Sequence, residues 1–165
     1  MDRWRAAHGV RAIWRNRTNG SAVARGCLRA LRDGRVLGLL LDQDLGDVPS
    51  VTAPFLGRPA RVALGPAELA LRAGAAVVAG FIGRDGADPD AHRIHIDPLP
   101  LDGGAPALAL RMSNAIEAAI RRRPDEWVWL HDRWRGVAED TAPAGHAQMR
   151  KSNFRSDPPN VALQP

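Results

Sequence analysis

Val36-Leu37-Gly38-Leu39-Leu40-Leu41 is the segment that most restricts what this chain can become. It is a nearly continuous apolar run, bounded by Arg35 and Asp42. A half-buried strand would alternate polar and apolar residues. A run without alternation predicts a strand buried on both faces, as in a parallel sheet covered by helices. The flanking segments agree. Ala22 to Arg32 predicts a helix with Val23, Cys27, Leu28 and Leu31 on one face, ended by Gly34. Gly65 to Ala73 predicts a second helix, with Pro66 in its tolerant first turn. Pro106 to Arg122 predicts a third, with Leu108, Met112, Ala115, Ile116 and Ala119 at helical spacing.

Between these helices lie the expected strands, Ala75 to Ile82 and His92 to Leu99, with a further short one at Val10 to Arg15. Asp2 to Ala7 predicts a short helix, or the end of a longer one, stopped by Gly9, and Asp125 to His131 a short final helix. Asp42 to Arg61 contains Pro49, Pro54, Gly57 and Pro59 and predicts a long loop, the kind of segment that often carries function. Ala138 to Pro165 has no apolar period and predicts a disordered tail. The expected class is therefore α/β with a mainly parallel sheet flanked by helices. The expected division is a domain over 1–136 and a tail over 137–165.

Composition narrows the function classes. Lys and Arg total 23, against 18 acids, giving a formal net charge of +5, and only Lys151 is a lysine. Arginine suits forked recognition of phosphate and carboxylate, and anionic surfaces; a GC-rich genome would enrich it too. The arginines are spread along the chain, with only Arg121–Arg123 gathered, which argues against nucleic acid as a partner. The single cysteine, Cys27, excludes an internal disulfide and a cysteine-based zinc site, and its apolar surroundings predict a buried thiol. No run approaches the ~18–20 apolar residues needed to span a bilayer, so membrane attachment is expected to be peripheral or to lie outside these residues.

Three clusters carry polar chemistry. Asp42-Gln43-Asp44 follows the apolar run, where open α/β sheets bind ligands at strand ends. These acids can bind a metal, hold an arginine or hydrogen-bond a hydroxyl-rich substrate; solvated acids at a strand end would look the same. Pro54-Phe55-Leu56-Gly57-Arg58-Pro59-Ala60 places an arginine able to clamp phosphate beside an apolar wall, or is simply a proline-shaped loop. Pro124 to Arg135 holds Trp127, Trp129 and Trp134 with His131 and Arg133, a composition suited to a membrane interface or to a packed corner. His92 and Asp97 have the spacing in which an acid orients a histidine base. On a strand, however, residues five apart face opposite ways, roughly 16 Å from each other, so this pair is not expected to act.

In order, these segments resemble the lipid A biosynthesis acyltransferase family, which includes lauroyl, myristoyl and phosphatidylinositol mannoside acyltransferases of the lysophospholipid acyltransferase-like superfamily. The resemblance covers about Arg3 to Arg135. It rests on Arg15-Asn16-Arg17-Thr18-Asn19, Leu28-x-x-Leu31-x-x-Gly34-Arg35-Val36, Leu41-Asp42-Gln43-Asp44 and Pro54 to Ala60. It continues through Gly65-Pro66-Ala67-x-Leu69-Ala70, Ile116-Glu117-x-x-Ile120-Arg121 and Trp127-x-Trp129-Leu130-His131-x-Arg133-Trp134.

The resemblance implies a partial glycerolipid-acyltransferase-like fold whose N-terminal half is missing. It implies an acyltransferase at the cytoplasmic face of the bacterial inner membrane, moving an acyl group from acyl-carrier protein or acyl-CoA to a glycolipid hydroxyl, with an anionic membrane surface as partner. It implies no cofactor and no metal. Arg17 and Arg58 are implied at phosphate or acyl donor, Asp42, Gln43 and Asp44 at the acceptor, and Arg84 and Arg133 as further binding residues. The chain departs from the family in lacking the His-x-x-x-x-Asp/Glu dyad and in carrying Ala79 where a proline is common. It is therefore expected to be inactive alone. A non-catalytic lipid- or protein-binding module derived from this fold is the alternative.

Overall fold

The structure is a computed structural model, and it describes residues 2–14, 20–46, 48–86, 88, 90–135 and 137. Past Val137 the expected tail lies outside the described residues, as does Arg17.

Helix α1 (Asp2–Ala7) and helix α2 (Gly20–Arg32) come first. Strands β1 (Ser50–Phe55) and β2 (Arg58–Ala63) form an antiparallel hairpin, followed by helix α3 (Gly65–Ala73). Strands β3 (Val77–Arg84) and β4 (His92–Leu99) form a second antiparallel hairpin. Helix α4 (Gly104–Arg122) runs between both hairpins and packs on α3, which in turn receives α2. The helices end where sequence chemistry ends them. Gly34 and Gly74 take positive φ of 74° and 62°, a conformation open to glycine at little steric cost.

The expected parallel sheet does not form among the described residues. Both sheets of the described residues are two-stranded and antiparallel. Residues 35–41 carry no ladder, and Val36 and Leu40 are 96% and 84% exposed. A strand buried on both faces needs neighbours and two covering layers, which the described residues do not supply around this run. Residues 10–14 likewise form no strand.

The 42–61 segment is not one long loop, because it contains most of the β1–β2 hairpin. Its prolines misled the loop expectation. Leu56 and Gly57 turn the chain with φ of 52° and 82°, as a two-residue type I′ turn requires. Residues flanking such a turn form the hydrogen-bonded pair, here Phe55 and Arg58, so the next pair is not hydrogen-bonded. That next pair is Pro54 opposite Pro59, and their missing N–H groups cost the ladder nothing. The tip is held by Glu117 of α4, which accepts the Leu56 backbone N–H; this bond, more than its partner Arg121, holds the carboxyl below its ordinary range.

Two apolar clusters form the core. Ala53, Val62, Ala67, Ala70, Leu108 and Ala109 join β1, β2, α3 and α4. Phe55, Ala60 and Ile120 form the other, with Ile116, Trp127 and Trp134 packed around them. Cys27 is buried as expected, and burial raises its thiol pKa.

Candidate functional site

An open trough of about 1410 Å³ lies between the 35–43 segment, β3, the C-terminal half of α4 and Trp127 to His131. Its walls are largely apolar, from Leu37, Leu39 and Leu41 on one side and Val77, Phe81 and Ile116 on others. Asp42, Gln43 and His131 are among its polar lining residues.

Asp42 and Asp44 are held by the tryptophan-rich segment. The Trp127 indole Nε1–H donates to Asp42 Oδ2 at 3.1 Å. The Asp44 backbone N–H donates to His131 Nε2 at 3.2 Å, which places the ring proton on Nδ1. Asp44 Oδ1 accepts the Gly46 N–H at 2.9 Å. Asp44 is buried and does not line the trough, whereas Asp42 and Gln43 do. The three consecutive residues therefore divide: two face the cavity, and the third organises the loop behind them.

The expected final helix is only a 3₁₀ turn over Pro124–Glu126, and Trp127 is already extended at φ −96°, ψ 144°. The Trp129 indole N–H donates to the Pro124 carbonyl at 2.6 Å. That carbonyl is the acceptor a continuing α-helix would have used for residue 128. The segment instead leaves α4 through bends and turns over 127–134, and from it Trp127 and His131 reach Asp42 and Asp44.

Arg133 is the most deeply buried of the described candidate arginines, at 2% exposure. Its Nη1 donates to the Arg61 carbonyl at 2.6 Å, and the guanidinium carbon stands 5.0 Å from the centre of the Phe55 ring. Arg61 faces Thr52 at a non-hydrogen-bonded pair of the hairpin, so its carbonyl points outward and is free to accept. Burial lowers the Arg133 pKa, and the charges of Asp44 and Asp42 oppose that shift. Arg58 stacks over Trp134, 4.8 Å from the ring centre. Neither Arg58 nor Arg133 lines the trough.

Arg84 does line it, tied to Glu126, whose neighbour Trp127 holds Asp42. The Arg84 backbone N–H donates to Glu126 Oε1 at 3.2 Å, and Arg123 Nη1 reaches the same oxygen at 3.0 Å. Gly83 permits this approach, since a Cβ there would stand 2.8 Å from Glu126 Oε2. The Arg84 N–H, followed by Arg123, lowers the Glu126 pKa below its ordinary 4.5. A depressed carboxyl pKa stabilises the fold above the ordinary range, and the contribution is lost as pH falls through the folded-state value. Protection of the Arg84 amide against hydrogen exchange, corrected for intrinsic rate, is therefore expected to fall as pH drops below the ordinary 4.5 and through the lower folded-state value. Glu126→Gln should abolish this step; an unchanged step would remove Glu126 as its cause.

The structure thus places Asp42, Gln43 and Arg84 along the trough. It sets Asp44, Arg58 and Arg133 behind the loop. His131, Arg35 and Arg123 also line the trough and had no candidate role; the spacing of the Asp42-Gln43-Asp44 and Trp129-Leu130-His131 motifs gave no sign that they meet. His92 and Asp97 sit five residues apart on β4, opposite Arg84 and Ala79, as the strand expectation has them. Among the described residues there is no cluster of His, Cys, Asp or Glu able to hold a metal ion, and no helix is long and apolar enough to cross a membrane.

Residues 2–136 match the family model for bacterial lipid A biosynthesis acyltransferase. The chain is 30% identical over 149 residues to the lipid A biosynthesis palmitoleoyltransferase of Escherichia coli (strain K12), covering 85% of this chain and 46% of that protein. The same figures hold for a lipid A biosynthesis acyltransferase of Shigella flexneri. The lipid A biosynthesis lauroyltransferase of Escherichia coli (strain K12) is 32% identical over 130 residues, covering 73% of this chain and 42% of that protein. The chain spans about half the length of the curated relatives it matches.

Proposed function

We infer the function from one premise: the chain belongs to the bacterial lipid A biosynthesis acyltransferase family. Its reaction is acyl transfer from the thioester of acyl-carrier protein or acyl-CoA to a hydroxyl of a glycolipid. The acceptor oxygen attacks the thioester carbonyl, a C–O bond forms, the C–S bond breaks, and the hydroxyl proton passes to a base. The chain works peripherally at the cytoplasmic face of the bacterial inner membrane.

The observation that carries this reading is the trough itself. Apolar walls suit an acyl chain, and Asp42 with Gln43 in the lining suits an acceptor hydroxyl. Arg84 and Arg17 are assigned to phosphate or donor. Asp44 and Arg133 shape the Asp42 loop, and Arg58 braces it through Trp134. These residues form part of a larger acyltransferase domain. Ile94 and Ile96, exposed on the β3–β4 hairpin and outside the trough lining, support that view. The base is the histidine of a His-x-x-x-x-Asp/Glu dyad supplied from outside residues 1–165, because His92 and Asp97 face apart.

Purified 1–165 should give no acylated product with either donor and a glycolipid acceptor. A chimera in which it replaces the matching portion of the lauroyltransferase should transfer acyl groups, and Asp42→Asn should lower its kcat about tenfold or more. A folded but inert chimera would refute the acceptor-site assignment. Activity of 1–165 alone that disappears on His92→Ala would refute the external dyad.

A further inference from the structure

The positive charge of the chain is not evenly distributed, in contrast to the even spread expected from its arginines. Residues 1–35 contain nine arginines and two aspartates, a formal charge of +7. The whole chain carries +5, so the remaining residues sum to −2. Such asymmetry marks an electrostatic docking face rather than a generally basic protein.

The fold gathers much of this charge. The Val10 N–H donates to the Arg5 carbonyl at 2.9 Å, turning the 10–14 segment back from α1. Arg5, Arg11 and Arg35 then share one hollow of about 470 Å³ with Trp14. Ile13 packs toward Gly26 of α2, where a Cβ would meet its Cγ2 at 3.9 Å. On α2, Arg25, Arg29 and Arg32 recur at helical spacing and are all exposed, while Cys27 is buried. Apolar groups are interleaved with these cations: Trp4 and Trp14 are 66% and 67% exposed, and Val10 is exposed between them.

We propose that α1, the 10–14 segment and the outer face of α2 form the surface by which the chain seats on an anionic phospholipid bilayer. Guanidinium groups of Arg5, Arg11 and Arg35 take headgroup phosphates, for which their forked donors are suited. Trp4 and Trp14 enter the interfacial layer, where an amphipathic ring is most stable. Exposed Val10 and Ile13 beside the cations favour a bilayer over nucleic acid, which offers no acyl region to receive them. The proposal deepens the reading of the chain as a membrane-surface acyltransferase by naming the surface.

Co-sedimentation of the full chain with vesicles tests it. Binding is expected with equimolar phosphatidylglycerol and phosphatidylcholine, not with phosphatidylcholine alone, and it should weaken with salt. The combined change Arg5→Gln, Arg11→Gln, Arg35→Gln should weaken binding about 100-fold, at about fivefold per arginine. Trp4→Ala with Trp14→Ala should weaken it without changing the salt dependence. Arg72→Gln, Arg93→Gln, Arg121→Gln removes equal charge elsewhere and should leave affinity within about twofold. Circular dichroism establishes that each variant is folded. Absent binding, equal binding to neutral vesicles, equal loss in the two arginine triples, or tighter binding to duplex DNA than to vesicles at the same salt would each overturn the proposal. Acyl transfer by the chimera in detergent micelles separates the two readings: activity there without vesicle binding sinks only this surface, and vesicle binding without activity sinks only the transferase reading.

Discussion

Arg133→Ala is expected to destabilise the chain by about 3 kcal/mol, the low end of the range for breaking a buried charged contact. The side chain is almost fully buried, so its charge has left water. In return it gains the Arg61 carbonyl at 2.6 Å, the face of Phe55 at 5.0 Å and the nearby charges of Asp42 and Asp44. Truncation strips the carbonyl of a charged donor, opens a void under Phe55, and leaves Asp44 buried with one cation fewer. The guanidinium is not perfectly satisfied, since its Nε has no hydrogen-bond partner among the described residues. Arg133→Met, which fills the space without the charge, should therefore cost less, about 1–2 kcal/mol. Urea unfolding at constant m-value measures both. If Met is as damaging as Ala, charge rather than volume is what the site needs; if Ala costs under about 1 kcal/mol, Arg133 does not hold the loop.

That result bears on how much of the site could be read from residues alone. Asp42 and Gln43 do line the trough, yet the strand end expected to place them there does not form among the described residues. Asp44 and Arg133 have the same residue types and look equally like ligand groups. Only their burial shows that one shapes the Asp42 loop and the other braces it from behind. Helices α2, α3 and α4 were legible because periodicity is a local signal, as are the glycines that end α2 and α3. The sheet was not. The Val36–Leu41 run signals burial on two faces, but what would bury it is not encoded in the run. The β1–β2 hairpin was hidden by Pro54 and Pro59, whose harmlessness depends on their register opposite each other, a property of pairing and not of either residue. The bend at Trp127 was missed for a similar reason: an indole replaced a backbone donor at the Pro124 carbonyl.

Phe55→Ala is expected to cost about 4 kcal/mol, within the range for emptying a buried aromatic site. Phe55 is 1% exposed and stands where four elements meet. It belongs to β1, packs with Ile120 of α4, and touches Trp127 and Trp134 at ring separations of 6.0 and 6.3 Å. It also carries the guanidinium of Arg133 on its face. The consequence reaches the trough, because Trp127 both leans on Phe55 and holds Asp42 by its indole N–H. Loss of the ring should release Trp127 and with it the orientation of Asp42, so the chimera carrying Phe55→Ala should lose kcat as well as stability. Phe55→Leu keeps most of the apolar volume and should cost about 1–1.5 kcal/mol. The decisive measurement is a double-mutant cycle between Phe55→Leu and Arg133→Met. If the ring and guanidinium act as one support for the Asp42 loop, the two costs will fail to add by about 0.5–1.5 kcal/mol. Additive costs would mean that Phe55 and Arg133 brace the loop separately, and the link from the hairpin to Asp42 would then run through Trp127 alone.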